Sequence, residues 1–138
     1  VYGPFLGMQA AAPAMKKRGG GSVVITGSVA ATRGGMSLIG YVASKHAVTG
    51  LMRSAAKQLA HLGIRVNTVN PGPVATQMMQ RVEDAEGGKE IVANMKKGIP
   101  LGRFAKPEEI AQVMLFLGSE DSSWITGAIY MADGGESC

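Results

Sequence analysis

At 138 residues, 46% apolar and 17% charged, the chain has the size and composition of one ordinary globular domain, which excludes a disordered or fibrous protein. The net charge of +4 hides an asymmetry: residues 1–82 hold nine Lys or Arg and no Asp or Glu, whereas residues 83–138 hold five and ten. The nine bases are scattered singly apart from Lys16-Lys17-Arg18, a run that complements a helix C-terminus, so the pattern speaks against a nucleic-acid face.

The single cysteine, Cys138, rules out an internal disulfide framework, and with His46 and His61 as the only histidines the sequence offers no Cys/His metal cluster. No apolar run approaches the roughly 18 residues a membrane span needs. The first residues lack a basic segment ahead of an apolar stretch, so the expectation is a cytoplasmic protein in a reducing compartment, without a membrane association.

The predicted elements alternate helix and strand. Residues 3–17, rich in Ala and Met, read as a helix interrupted by Pro13 and ended by Lys16-Lys17-Arg18 and the Gly19-Gly20-Gly21 turn. Ser22 to Thr26 is short, apolar and β-branched, the pattern of a strand buried on both faces. A loop with Gly27, Gly34, Gly35 and Gly40 follows. From Tyr41 to Leu62 small and apolar residues recur at helical spacing, and Gly63 is placed to end that helix.

Ile64 to Val69 is the next strand, closed by Asn70-Pro71-Gly72-Pro73. Polar residues dominate from Thr76 to Gly88, Glu90 to Lys97 reads as helical, and Pro107-Glu108-Glu109 opens a clearer helix through Leu117. A short strand, Ala128 to Met131, precedes Ala132-Asp133-Gly134-Gly135. This alternation is the grammar of an α/β protein with a parallel, doubly wound sheet, here of about three strands. Such a sheet places phosphate-binding glycines after its first strand. Neither GxGxxG nor GxxxxGKS/T occurs, and Gly19-Gly20-Gly21 precedes a strand instead of following one.

Three residues carry candidate chemistry. Tyr41 and Lys45 lie one helical turn apart and share a face. A nearby ammonium favours the phenolate over the phenol, which poises Tyr41 for proton transfer. Ser28 stands thirteen residues earlier, just past the C-terminal end of the Ser22–Thr26 strand, where open α/β sheets bind ligands; its hydroxyl can donate to a substrate oxygen. Each residue taken alone has a plainer reading, as a half-buried tyrosine beside a solvated lysine and a loop serine bonded to its own backbone. His46 reads as a helix-surface residue, Trp124 as packing before the last strand, and Met78 and Met79 as lining a substrate lid over Thr76–Gly98 or packing on a helix face.

Taken together, Ser28, the Tyr-Val-Ala-Ser-Lys run from Tyr41 to Lys45, the Asn-Pro-Gly-Pro-Val-Ala-Thr run from Asn70 to Thr76, Ile125-Thr126-Gly127 and Asp133-Gly134-Gly135 match, in order and spacing, a known pattern. The chain resembles the C-terminal half of a short-chain dehydrogenase/reductase, a nicotinamide-dependent oxidoreductase on the Rossmann fold. The resemblance implies that residues 1–138 form the active-site and lid half of one such domain. It implies Tyr41 as general acid/base, Lys45 as the residue that lowers the tyrosine's pKa and holds the nicotinamide ribose, and Ser28 as the group that polarises the reacting oxygen. Pro71 and Gly72 would shape the nicotinamide pocket, with the Val74 backbone and the Thr76 hydroxyl contacting the carboxamide.

The family's active-site asparagine would fall immediately before Val1, and its TGxxxGxG phosphate turn further upstream, so the 138 residues alone are not expected to bind a dinucleotide normally. The activity implied is interconversion of a secondary alcohol and a ketone with NAD or NADP, in a homotetramer whose long helices pair across one interface and whose last strand region forms another. A 3-oxoacyl-(acyl-carrier-protein) reductase is the alternative, since an acidic carrier suits the basic first part. From another class, a non-catalytic scaffold with a basic nucleic-acid-contacting face is opposed by the intact Ser28, Tyr41 and Lys45.

Overall fold

A computed structural model describes residues 1–34 and 39–138. Gly35 of the loop predicted above lies outside the described residues. In chain order the elements are helix α1 (Tyr2–Lys17), strand β1 (Gly21–Thr26), helix α2 (Ile39–Leu59), strand β2 (Ile64–Pro71), helices α3 (Gln77–Asp84), α4 (Gly88–Lys97) and α5 (Pro107–Gly118), and strand β3 (Ile129–Ala132). Single 3₁₀ turns at Val29–Ala31, Ala60–Leu62 and Glu120–Ser122 join them.

The three strands form one parallel sheet in the order β1-β2-β3, with Gly21 opposite Ile64, Thr26 opposite Val69, and Thr68 opposite Ile129. Parallel neighbours need a crossover between them, which α2 supplies for the first pair and α3, α4 and α5 for the second. Successive residues of β2 face opposite sides. Ile64 and Val66 join Met8 of α1 and Val48, Met52, Ala55 and Ala56 of α2 in one apolar cluster. Val69 joins Ile110 and Leu117 of α5 in the other. Helices therefore cover both faces, as the sequence grammar requires.

Differences from the expected elements have local causes. Pro13 does not interrupt α1: it lacks an N–H, so one bond to the Gln9 carbonyl is lost, but the flanking turns keep the helix continuous to Lys17. Strand β1 is half-buried over most of its length instead of buried on both faces, because it lies at the edge of the sheet. The polar stretch after Thr76 contains α3, eight residues of which none is buried, so its apolar spacing gave no core signal. Trp124 does not pack before β3; it is fully exposed. Gly63 ends the second helical region as expected, at φ +70°, a left-handed conformation open to glycine at no steric cost, and its Cα and carbonyl abut Gly19 and Gly20 too closely for a side chain.

The start of α5 is fixed electrostatically. Arg103 donates through both terminal nitrogens to the Glu109 carboxylate at 2.7 Å, and the same carboxylate accepts from the Lys106 backbone N–H at 2.7 Å. The Arg103 fork, followed by the Lys106 amide, holds Glu109 well below the usual carboxylate range, at about 2, while Glu109 raises Arg103. A depressed carboxylate stabilises the fold above its ordinary pKa, and that contribution fades as pH falls toward 2. The groups are exposed, so the effect is small and screened by salt. Glu109→Gln is expected to lower the melting temperature slightly at pH 7 in low salt and not at pH 2 or in 1 M salt; a loss that persists at pH 2 removes this account.

Candidate active site

The C-terminal end of β1 meets the first turns of α2 through Lys45. The chain leaves β1 at Thr26, passes Gly27 and places Ser28 at the head of the Val29–Ala31 turn. Ser28 is buried, 8% exposed, with extended backbone, and its Oγ accepts the Ala30 N–H at 3.1 Å. Because that bond uses a lone pair, the hydroxyl hydrogen remains free to donate. The plainer reading of Ser28 as a loop cap is thus true of its geometry and compatible with the chemical one.

Lys45 reaches from α2 back to the end of β1. Its Nζ donates to the Thr26 carbonyl at 3.2 Å and to the Gly27 carbonyl at 3.0 Å, and lies 5.6 Å from the centre of the Tyr41 ring. An ammonium has three donors, so one remains for a further acceptor. Tyr41 is 46% exposed. The helical spacing predicted from sequence therefore brings Tyr41 and Lys45 together, and the lysine's two carbonyl bonds tie its ammonium to the backbone that precedes Ser28.

The second segment crosses the same end of the sheet. Pro71 closes β2 opposite Ala132, and the Gly72 N–H donates to the Ala132 carbonyl at 3.2 Å. At Gly72 a side chain has no room: a methyl there would stand 2.9 Å from Glu136 Oε2 and 3.0 Å from the Asp133 Cα. Val74 bridges to Ala105, with the Ala75 N–H on the Ala105 carbonyl at 2.8 Å, so this loop is anchored on its far side. Thr76 caps the start of α3 by position and is exposed, and among the described residues its hydroxyl makes no capping bond. Beyond it, α3 and α4 cover the span expected as a lid, with Met78 71% exposed and Met79 half-buried. His46 sits on the exposed side of α2, its Nδ1 3.0 Å from the Val42 carbonyl, away from Lys45's partners.

Two features were not legible in the motifs. Arg33 pairs with Glu136, donating both to its carboxylate and, at 3.0 Å, to its backbone carbonyl, so the segment after Ser28 is strapped to the C-terminal turn across Gly72. That turn is itself organised by Asp133. Partial burial pushes its carboxyl up, but hydrogen bonds from Ser137 and from the Gly135 and Ser137 amides, the latter at 3.1 and 3.0 Å, outweigh burial and hold it below its usual range. No pattern in the sequence pairs positions 103 residues apart; only an unmatched Arg near a Gly-rich turn hints at it.

At the C-terminal end of the parallel sheet, the end at which open α/β sheets bind ligands, Lys45 thus lies between the Tyr41 ring and the backbone just before Ser28, beside a close-packed glycine loop. Comparison with known proteins gives the family. The family model described as Enoyl-(Acyl carrier protein) reductase matches residues 1–137. The chain is 44% identical over 130 residues to a cyclohexanol dehydrogenase of Acinetobacter sp. strain SE19, covering 94% of this chain and 49% of that protein. It is 43% identical over 135 residues to a 3-oxoacyl-(acyl-carrier-protein) reductase of Thermotoga maritima, covering 98% and 53%. The structure superposes on the ligand-free aldohexose dehydrogenase of Thermoplasma acidophilum with a TM-score of 0.92 at 32% identity, over 99% of this chain and 56% of that one. The chain belongs to the short-chain dehydrogenase/reductase family, and its sheet and helices are part of a Rossmann-like fold. It spans about half the length of the curated relatives it matches.

Proposed function

We propose that this chain carries the catalytic half of an NAD(P)-dependent oxidoreductase that interconverts a secondary alcohol and a ketone. The observation that carries the reading is the placement of Lys45 Nζ, held by the Thr26 and Gly27 carbonyls beside Ser28 and 5.6 Å from the Tyr41 ring. A bound nicotinamide supplies or accepts the hydride. Tyr41 passes the proton to or from the substrate oxygen, and Ser28 donates a hydrogen bond that polarises and orients that oxygen. Lys45, with its free third donor, keeps positive charge beside the phenol and holds a ribose hydroxyl. The exposed Thr76 hydroxyl, which makes no capping bond, suits the carboxamide end of NAD or NADP, with Pro71, Gly72 and the Val74 backbone forming the wall in this reading. These residues fit the nicotinamide end; no glycine turn for the phosphates stands in this sequence, and in this reading residues 1–138 are the C-terminal half of one Rossmann domain.

The same reading makes the protein a cytoplasmic homotetramer that acts on a small-molecule substrate. Support for an assembly comes from an apolar groove of about 720 Å³ between α1 and α2, which Phe5, Ala12, Leu51 and Leu59 help to line, and from exposed Leu115, Trp124 and Met131 around α5 and β3. Among the described residues no helix is long and apolar enough to cross a membrane.

A second reading, reduction of an acyl-carrier thioester, is favoured by the base-only composition of residues 1–82, which suits an acidic carrier. The two are separated by turnover of the intact protein on cyclic ketones and on a 3-oxoacyl thioester at two salt concentrations. The alcohol/ketone reading expects salt-indifferent turnover of simple ketones. Thioester turnover that falls steeply with salt, with ketones inert, would replace it by the carrier reading, and no cofactor oxidation with either would remove both.

A further inference from the structure

The geometry points to Asn70 as a positioning residue for the active site, an inference that rests on the function proposed above. Asn70 is fully buried, and both its amide nitrogen and its amide oxygen lack a hydrogen-bond partner among the described residues. Thr68, two residues earlier and so on the same face of β2, is also fully buried with its hydroxyl unpartnered. Buried polar groups are nearly always paired, and a side chain that breaks the rule is expected where function requires it.

What the amide does follows from its neighbour. Asn70 Oδ1 presses against Gly27: a methyl on Gly27 would overlap that oxygen and stand 2.9 Å from Asn70 Cγ. The Gly27 N–H is fixed to the Val69 carbonyl at 2.7 Å, and the Gly27 carbonyl seats Lys45 Nζ at 3.0 Å. Asn70 therefore closes the space beneath the one peptide that both holds the lysine and leads into Ser28. With that space filled, the Gly27 peptide has a single orientation, and the ammonium and the serine hydroxyl keep one relative geometry. Asn70 cannot touch a ligand itself, since it is 0% exposed; it acts through Gly27.

The test uses the intact protein in five forms: wild type, Asn70→Ala, Gly27→Ala, the double variant Gly27→Ala/Asn70→Ala, and Asn70→Ser. Gly27→Ala alone is expected to lose both melting temperature and turnover, because its methyl has no room. The double variant makes that room and is expected to regain the melting temperature while kcat stays about tenfold below wild type, with the cofactor KM within about threefold. Asn70→Ser, smaller but still polar, is expected to show the same kcat loss even if Asn70→Ala does not fold. In the cofactor-free protein the Gly27 amide is expected to exchange at least tenfold faster when Asn70 is shortened.

Wild-type kcat in the double variant or in Asn70→Ser, or unchanged Gly27 exchange, would overturn the assignment and leave Asn70 a packing residue. Should wild type itself turn over no alcohol or ketone, the functional reading fails on its own; the exchange comparison, which needs neither substrate nor cofactor, then still decides whether Asn70 orders the Gly27 peptide.

Discussion

Tyr41→Phe in the intact protein is expected to reduce kcat by roughly 10²- to 10⁴-fold, the usual contribution of a positioned acid–base group, with cofactor affinity almost unchanged. The substitution removes one oxygen from a side chain that is half in solvent, so it leaves packing and the Lys45 seat in place. Only the proton path to the substrate oxygen is cut, and such a loss shows in kcat and kcat/KM alike, since the interaction is made in the transition state. Steady-state kinetics beside a fluorescence titration of the reduced cofactor separate the two quantities. A variant that keeps a tenth or more of wild-type turnover would mean that another group moves the proton, and Ser28, whose hydroxyl hydrogen is uncommitted, would be the next to test.

Arg65→Ala is expected to destabilise the fold by about 3 kcal/mol, lowering the melting temperature by about 10 °C, because it removes one charged donor from four acceptors at once. From β2 the guanidinium donates to the Leu117 carbonyl at 3.0 Å, the Ser122 hydroxyl at 2.9 Å, the Ile125 carbonyl at 3.3 Å and the Ser119 carbonyl at 2.8 Å. Leu117 and Ser119 lie at the C-terminal end of α5, where unpaired carbonyls and the helix dipole both favour a cation. Ser22 of β1, opposite Arg65 in the register, donates to the same Leu117 carbonyl at 2.7 Å, so the end of α5 is clamped to two strands. Arg65→Lys keeps the charge but has no fork to span these acceptors, and is expected to recover less than half of the loss. Thermal denaturation of the three forms checks this; a melting temperature within 2–3 °C of wild type for Arg65→Ala would show the clamp to be dispensable.

Both predictions concern residues whose roles were unequally visible in the sequence. Tyr41, Lys45 and Ser28 were legible because their relation is local: one helical turn for the first pair, and a short connection from a strand end for the third. The glycine stop at Gly63, the strand pattern of β2 and the proline-led start of α5 were legible for the same reason, since backbone dihedral preference and side-chain periodicity act over a few residues. Arg65 lies inside the expected Ile64–Val69 strand, where the sequence pattern does not single it out. Its partners lie 52 to 60 residues away, and nothing in the local pattern says which face of β2 will meet the end of α5.

The sequence by itself determined the alternating parallel architecture, the family and the identities of the candidate catalytic residues, because spacing within a turn or a motif is set along the chain. Only the tertiary structure decided that Lys45 hangs on the Thr26 and Gly27 carbonyls, that Arg33 straps Glu136, that Trp124 stands in solvent and that Asn70 is sealed beneath Gly27. Those outcomes depend on which distant surfaces are brought together when the strands align, and burial, close approach and hydrogen-bond partnership come into being only with that alignment.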